Sequence, residues 1–139
     1  MSTAAPIAPQ TAALANLTVV DLSRILAGPF AAQNLADMGA KVIKIEHPNG
    51  DDTRRWGPPF VERDDGSKDA AYYFCANRNK TNLSLDFTQS ADRERLIELI
   101  KIADIVIENY KVGGLAKYGL DYASIRPLNP RVIYCSITG

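Results

Sequence analysis

Short, nearly continuous apolar runs alternate along this chain with amphipathic stretches, a rhythm that predicts strands separated by helices. Residues 17–22 (LTVVDL) form the first apolar run. It meets a turn at Ala27-Gly28-Pro29, and about two helical turns then lead to Gly39 and a second run over residues 42–45. In the helix, Ala31, Leu35 and Met38 recur at i, i+4 and i+7, one stripe suited to packing on a sheet, with Gly39 placed as a C-cap. Val42, Ile43 and Ile45 are interrupted only by Lys44, as expected of a central or near-central parallel strand covered on both faces. Together these elements predict a β-α-β unit.

Residues 47–71 show no sustained period and carry Pro, Gly and charge throughout, predicting a long binding loop or lid, or a disordered segment. Trp56, Pro58, Pro59 and Phe60 argue that it packs on something. Leu83 and Leu85 then alternate with Ser84 and Asp86, a strand following an Asn77-Arg78-Asn79-Lys80 turn. The next helix has Thr88 or Ser90 as its cap and Asp92 and Glu94 in its first turns, where negative charge is favoured. Its predicted buried stripe is Leu96, Leu99, Ile100 and Ala103. A strand over 105–107 runs into Glu108-Asn109-Tyr110. Gly113-Gly114 permit a second tight passage, two short helical pieces break at Gly119 and stop at Pro127, and a last strand covers 132–137. This order predicts an α/β fold, a Rossmann-like open, mostly parallel sheet with helices on both faces. The domain is expected over 17–139, cut off at its C-terminus because Gly139 directly follows a strand, with residues 1–16 as a disordered tail.

Composition narrows the function classes. A chain of 139 residues buries roughly two-thirds of its surface, enough for one domain with a real core. Sixteen basic and sixteen acidic residues cancel, so neither nucleic acid nor a membrane is an expected partner, and any anion site must be local. Cys75 and Cys135 are expected as two buried thiols rather than a disulfide. With His47 the single histidine and no Cys/His cluster, no metal site is expected. No apolar run reaches the 18 or so residues of a membrane span. The first sixteen residues lack the positive charge of a targeting segment, so a cytoplasmic location is expected.

Candidate chemistry collects at the turns. Gly28 lets the backbone bend sharply and a ligand approach, and Pro29 suits the first helical position. Free N–H groups there would favour phosphate or carboxylate by roughly 0.3–1 kcal/mol, although most such turns bind nothing. Arg54 and Arg55 are either phosphate holders or a solvated charge pair. Asn77, Arg78, Asn79 and Lys80 offer donors to an anion, as any exposed turn would. Asn109 and Tyr110 lie past a strand's carboxyl end, where open α/β sheets bind ligands. A dinucleotide fold would want G-x-G-x-x-G after the first strand; Glu46 supplies the acidic residue such a fold needs, but Leu26-Ala27-Gly28-Pro29 breaks the pattern.

Five stretches in order, DLSRILAGPFAAQNLADMGAKVIKIEHP, GDDTR, NRNKTNLSLD, ADIVIENYKVGGLAKYGLDY and LNPRVIYCSITG, resemble the amino-terminal part of family III CoA-transferases, the formyl-CoA and carnitine-CoA transferase group. The resemblance spans about residues 17–139. It implies a Rossmann-like domain that binds coenzyme A, within a homodimer whose two chains interlock like links. Such enzymes move CoA from an acyl-CoA to a small carboxylic acid through anhydride and thioester intermediates on an aspartate. Carried over by motif, Ile25 and Ala27 would line the CoA site, and His47 stands where many members have an arginine near the adenosine phosphate, with Arg54 or Arg55 available for that contact. Asn77 and Lys80, Asn109 and Tyr110, and Lys117 with Tyr118 would complete the nucleotide and pantetheine surroundings. Val112 replaces a common proline. The nucleophilic aspartate of the family lies downstream of the SITG stretch, so no catalytic residue is expected here, and Asp21, Asp37, Asp86 and Asp104 are expected to be structural. A mixed anhydride splits one hard exchange into easier steps and needs oxyanion donors and a shielded pocket; this stretch is expected to supply at most part of the nucleotide cradle and so to show no transferase activity alone. Two alternatives stand beside this reading: a fragment of a 2-methylacyl-CoA racemase, which shares the fold, and a non-catalytic nucleotide-binding module. The GDDTRRWGPPF loop resembles members that use dicarboxylic acids.

Overall fold

A computed structural model describes residues 12–138. In chain order it contains β1 (Thr18–Asp21), α1 (Ala27–Asp37), β2 (Lys41–Glu46), a 3-10 turn (Asp52–Arg55), and β3 (Phe60–Glu62). Then follow β4 (Lys68–Ala70), α2 (Ala71–Phe74), β5 (Lys80–Ser84), α3 (Ser90–Ile102) and β6 (Ile105–Glu108). A second 3-10 turn (Ala116–Tyr118), α4 (Tyr122–Ile125) and β7 (Ile133–Ser136) complete it. Five strands form one sheet in the order β5-β2-β1-β6-β7, every pair parallel, so the expected α/β architecture is present.

Alternation along the parallel strands sorts the core into two layers. Val20, Ile43, Ile45 and Val106 face Leu96 and Ile100 of α3 and Ile125 of α4. On the opposite face Val19, Val42 and Ile107 meet Ala32 and Ala36 of α1. The buried residues of α1 are Gly28, Pro29, Ala32, Gln33 and Ala36, with Ala32 and Ala36 against the sheet and Gln33 bonded to the Cys75 carbonyl and the Arg78 N–H. Met38, expected in the stripe that packs on the sheet, is exposed because the helix ends at Asp37 and the chain turns away at Gly39.

Several local expectations change. The segment after β2 is partly regular: β3 and β4 pair antiparallel, Phe60 opposite Ala70. Lys80 does not sit in a turn but begins β5, opposite Val42. Neither Thr88 nor Ser90 caps α3; Gln89 holds the cap position without a side-chain bond, and Asp86 accepts the Thr88 N–H (3.0 Å) instead, an Asx turn. Both cysteines are exposed free thiols rather than buried ones. Of the expected tail, residues 1–11 lie outside the described residues. Leu14 packs near α1, its N–H donating to the Met38 carbonyl (3.0 Å).

Two polar tethers hold the α3 face together. Buried Asn129 donates to the Ile100 and Ala103 carbonyls (2.9 and 2.7 Å), satisfying acceptors that the end of α3 leaves open. The Tyr134 hydroxyl donates to the Leu120 carbonyl (2.6 Å), fixing the segment before α4 to β7. Tyr134→Phe is expected to cost about 1 kcal/mol through loss of that bond, read as a lowered urea midpoint at unchanged slope.

Candidate functional site

The chain leaves β1 first toward β2 and β5, and later returns to the other side of β1 for β6 and β7. Strand order therefore reverses at β1, and the crevice at the carboxyl ends of these strands is where open α/β sheets take ligands. A cleft of about 360 Å³ lies there. Leu22 follows β1, Ile45 lies near the end of β2, Leu85 and Phe87 follow β5, and Tyr110 follows β6, which together give it an apolar wall. Its rim is the segment between His47 and Arg55. Arg24 and Arg55 stand exposed at the mouth, 3.5 and 3.6 Å from Asp52 between them.

Beneath the rim runs a buried polar layer. Lys44 and Glu46 alternate along β2, so both project to the same side as Asp21 of β1 and Lys80 and Asn82 of β5. The Lys44 ammonium, 1% exposed, donates to Asp51 (3.1 Å) and to the Ser23 carbonyl (3.0 Å). Glu46 accepts from the Asp51 N–H (2.7 Å), from Arg54, from Asn82 and from the Tyr73 hydroxyl (3.1 Å). Burial works to raise the Glu46 pKa, but the bonds from Arg54, the Asp51 N–H and Asn82 outweigh it and hold the value at about 2. Arg54 also donates to Asp69 (2.8 Å) and lies 3.7 Å above the Tyr73 ring. Burial and the Glu46 charge push the Tyr73 phenol up to about 12.

The expected site residues divide into three groups. His47 and Tyr110 line the cleft. Tyr110 packs edge-on against Phe87 (centroids 5.6 Å), and burial raises its pKa above the ordinary tyrosine range. His47 is exposed, its Nε2 3.8 Å from Asp86 and its Nδ1 accepting the Asn49 N–H. Beside the cleft, Ile25 and Ala27 lie on the turn into α1, and Asn109 clamps that turn, exchanging two 2.8 Å bonds with the Arg24 backbone.

Asn77 and Lys80 face the interior instead. The Lys80 ammonium, 1% exposed, donates to Asp21 (2.8 Å), the Pro29 carbonyl (2.8 Å) and Asn77 (3.0 Å), so its three protons are all used inside the fold. A phosphate cannot recruit it without breaking that set. Lys117 and Tyr118 also stay out of the cleft: Tyr118 packs behind Phe87 (5.2 Å) and Lys117 lies over Tyr118 (4.8 Å). Arg54 is committed to Glu46 and Asp69, leaving Arg55 as the rim arginine. Arg24 and Phe87 were not singled out as cleft residues, since an arginine in a turn and an apolar residue at a strand end read the same whether or not they line a cleft.

The expected structural aspartates all have internal work. Asp21 accepts from Ser23 (N–H, 3.0 Å) and Lys80, Asp37 from Arg78, Asp86 from Thr88, and Asp104 from the Thr18 N–H (2.8 Å).

A five-stranded parallel sheet with a part-apolar crevice at its switch point defines a class, the open α/β domains. The particular family follows from comparison: the profile of CoA-transferase family III matches residues 14–139, and the chain belongs to that family. It is 56% identical over 128 residues to a succinate–glutarate CoA-transferase of Agrobacterium fabrum, covering 91% of this chain and 32% of that protein. It is 45% identical to the human succinyl-CoA:glutarate CoA-transferase, covering 91% and 28%. A solved CAIB/BAIF family protein from Brucella suis superposes with a TM-score of 0.90 at 54% identity, over 94% of this chain and 34% of that one. The chain thus spans about a third of the length of the curated relatives it matches. No described helix is long and apolar enough to cross a membrane.

Proposed function

We propose that this chain is the CoA-binding portion of a CoA-transferase that moves CoA between an acyl-CoA and a small carboxylic acid, with dicarboxylates as the substrate class. The observation that carries the reading is the cleft itself: Ile45, Phe87 and Tyr110 offer an apolar wall for an adenine, and at its mouth Arg24 and Arg55 offer exposed cations and His47 an exposed imidazole for phosphates. Ile25 and Ala27 present backbone and small apolar surface on the adjoining turn. The names of the similar proteins favour dicarboxylates and favour a transferase over a racemase. In this reading the acyl chemistry belongs to residues outside the 139, because each aspartate weighed as a nucleophile is engaged in the fold. The whole protein works as a cytoplasmic homodimer; exposed Trp56, Phe60 and Phe74 supply apolar surface for such an interface.

Calorimetric titration with CoA and with NAD tests the assignment. CoA is expected to bind and NAD not to, and NAD binding without CoA binding would overturn it. The 139-residue chain is expected to give no turnover with succinyl-CoA and glutarate; turnover would place the nucleophile within it after all.

A further inference from the structure

Ile25 has φ = 69°, a left-handed backbone that a β-branched residue rarely adopts, at a cost of order 1–3 kcal/mol. Such a conformation persists only where the surroundings over-determine it. At Ile25 the surroundings are polar and buried. Its N–H donates to the two carboxylate oxygens of Asp51 at 3.2 and 3.4 Å. Asp51 is 3% exposed and is itself fixed by Lys44 (3.1 Å), the Thr53 N–H (3.0 Å) and the Thr53 hydroxyl (2.8 Å). Lys44 also grips the Ser23 carbonyl, so one buried ion pair holds both sides of Arg24.

Covering β2 does not require this pair. Apolar residues of similar size would serve a buried strand as well or better, because desolvation offsets most of what an internal ion pair gains. The pair does something apolar residues could not, since its carboxylate accepts the Ile25 N–H while being held in turn by Lys44 of β2.

We propose that Asp51, braced by Lys44, is a positioning residue: it fixes the left-handed backbone at Ile25 and thereby sets Arg24 at the cleft mouth for CoA. The proposal rests on the CoA-binding reading above. Asp51 and Lys44 border the floor of the cleft, but Asp51 is only 3% exposed and its carboxylate is taken up by the Ile25 N–H, Lys44 and Thr53, so in this proposal it acts through the turn.

The test uses the full-length protein and three forms: wild type, the pair Asp51→Asn with Lys44→Met, and that pair with Ile25→Gly added. Removing both charges avoids stranding a buried ammonium, and glycine takes φ = 69° without strain. The pair is expected to raise the calorimetric Kd for CoA about tenfold, and Ile25→Gly to bring it back within about threefold of wild type. A purely structural role would lower Tm without this recovery, so an unchanged Kd, or a loss that glycine does not rescue, overturns the proposal.

A second readout needs no ligand. Tryptic cleavage after Arg24 is expected to be about tenfold faster in the pair than in wild type, as a released turn opens more often, and equal rates overturn the positioning role. If wild type fails to bind CoA, the functional reading falls while the cleavage rates still decide the role of Asp51. Should the pair not fold, Asp51→Glu keeps the charge beside Lys44 but shifts the carboxylate by one methylene. It is then expected to show the same rise in cleavage, and a wild-type rate would overturn the proposal.

Discussion

Replacing Asp21 by asparagine is expected to destabilise the protein by about 3–5 kcal/mol, because it breaks a buried ion pair from one side. Asp21 is fully buried, and the Lys80 ammonium it faces is 1% exposed. The asparagine keeps the shape and can still accept from Ser23, but it removes the charge that compensates the lysine. Burial already holds Lys80 below the ordinary lysine range despite Asp21, so the variant's remaining route is to lose the proton. The cost should therefore shrink at alkaline pH. Adding Lys80→Met should recover most of the loss at neutral pH, since the penalty lies in an unpaired charge rather than in a missing attraction. Urea midpoints of the single and double variants measure both effects, and a single-variant loss below about 1 kcal/mol would show that Lys80 finds water or another partner.

Acid should find its largest single handle at Glu46. Its folded pKa of about 2 lies below the ordinary 4.5, so the folded state prefers the carboxylate. The stabilisation is fully present above pH 4.5 and is lost as the pH falls from there through about 2. Linkage converts this gap into roughly 3 kcal/mol. Asp51 has a lowered pKa too, burial being outweighed by the Thr53 N–H and the Lys44 charge, so wild type should show a compounded acid slope. The informative comparison is with Glu46→Gln, which should be less stable at neutral pH and fall less steeply below pH 4.5. Parallel stability curves for the two proteins through that window would defeat the assignment. The same substitution should loosen Asp51, whose N–H rests on Glu46, and so link acid stability to the cleft rim.

Much of the fold was legible because it rests on local periodicity. The near-continuous run at Val42–Ile45 marked a buried parallel strand, and the spacing of Leu96 and Ile100 marked the inner face of α3, as the structure has them. Asn109 and Tyr110 were found beside the cleft by their place after a strand. The hairpin of β3 and β4 was missed, since each strand has only three residues, β3 being exposed throughout and β4 buried at both Asp69 and Ala70, leaving no alternation to detect. Lys44 read as an interruption. Its meaning depends on Asp51, seven residues later and brought back by a tight turn.

By itself the sequence determined the succession of the main strands and helices along the chain and the family resemblance, which follow from patterns within a few residues or from motifs in linear order. Only the tertiary structure decided which charged residues face the cleft and which are buried: a lysine or arginine reads the same in sequence whether its partner is water, a ligand or a distant carboxylate. Desolvation and the hydrogen bonds supplied by other strands make that choice, and here they turned Lys80 and Arg54 inward and left Arg24, His47 and Arg55 at the mouth.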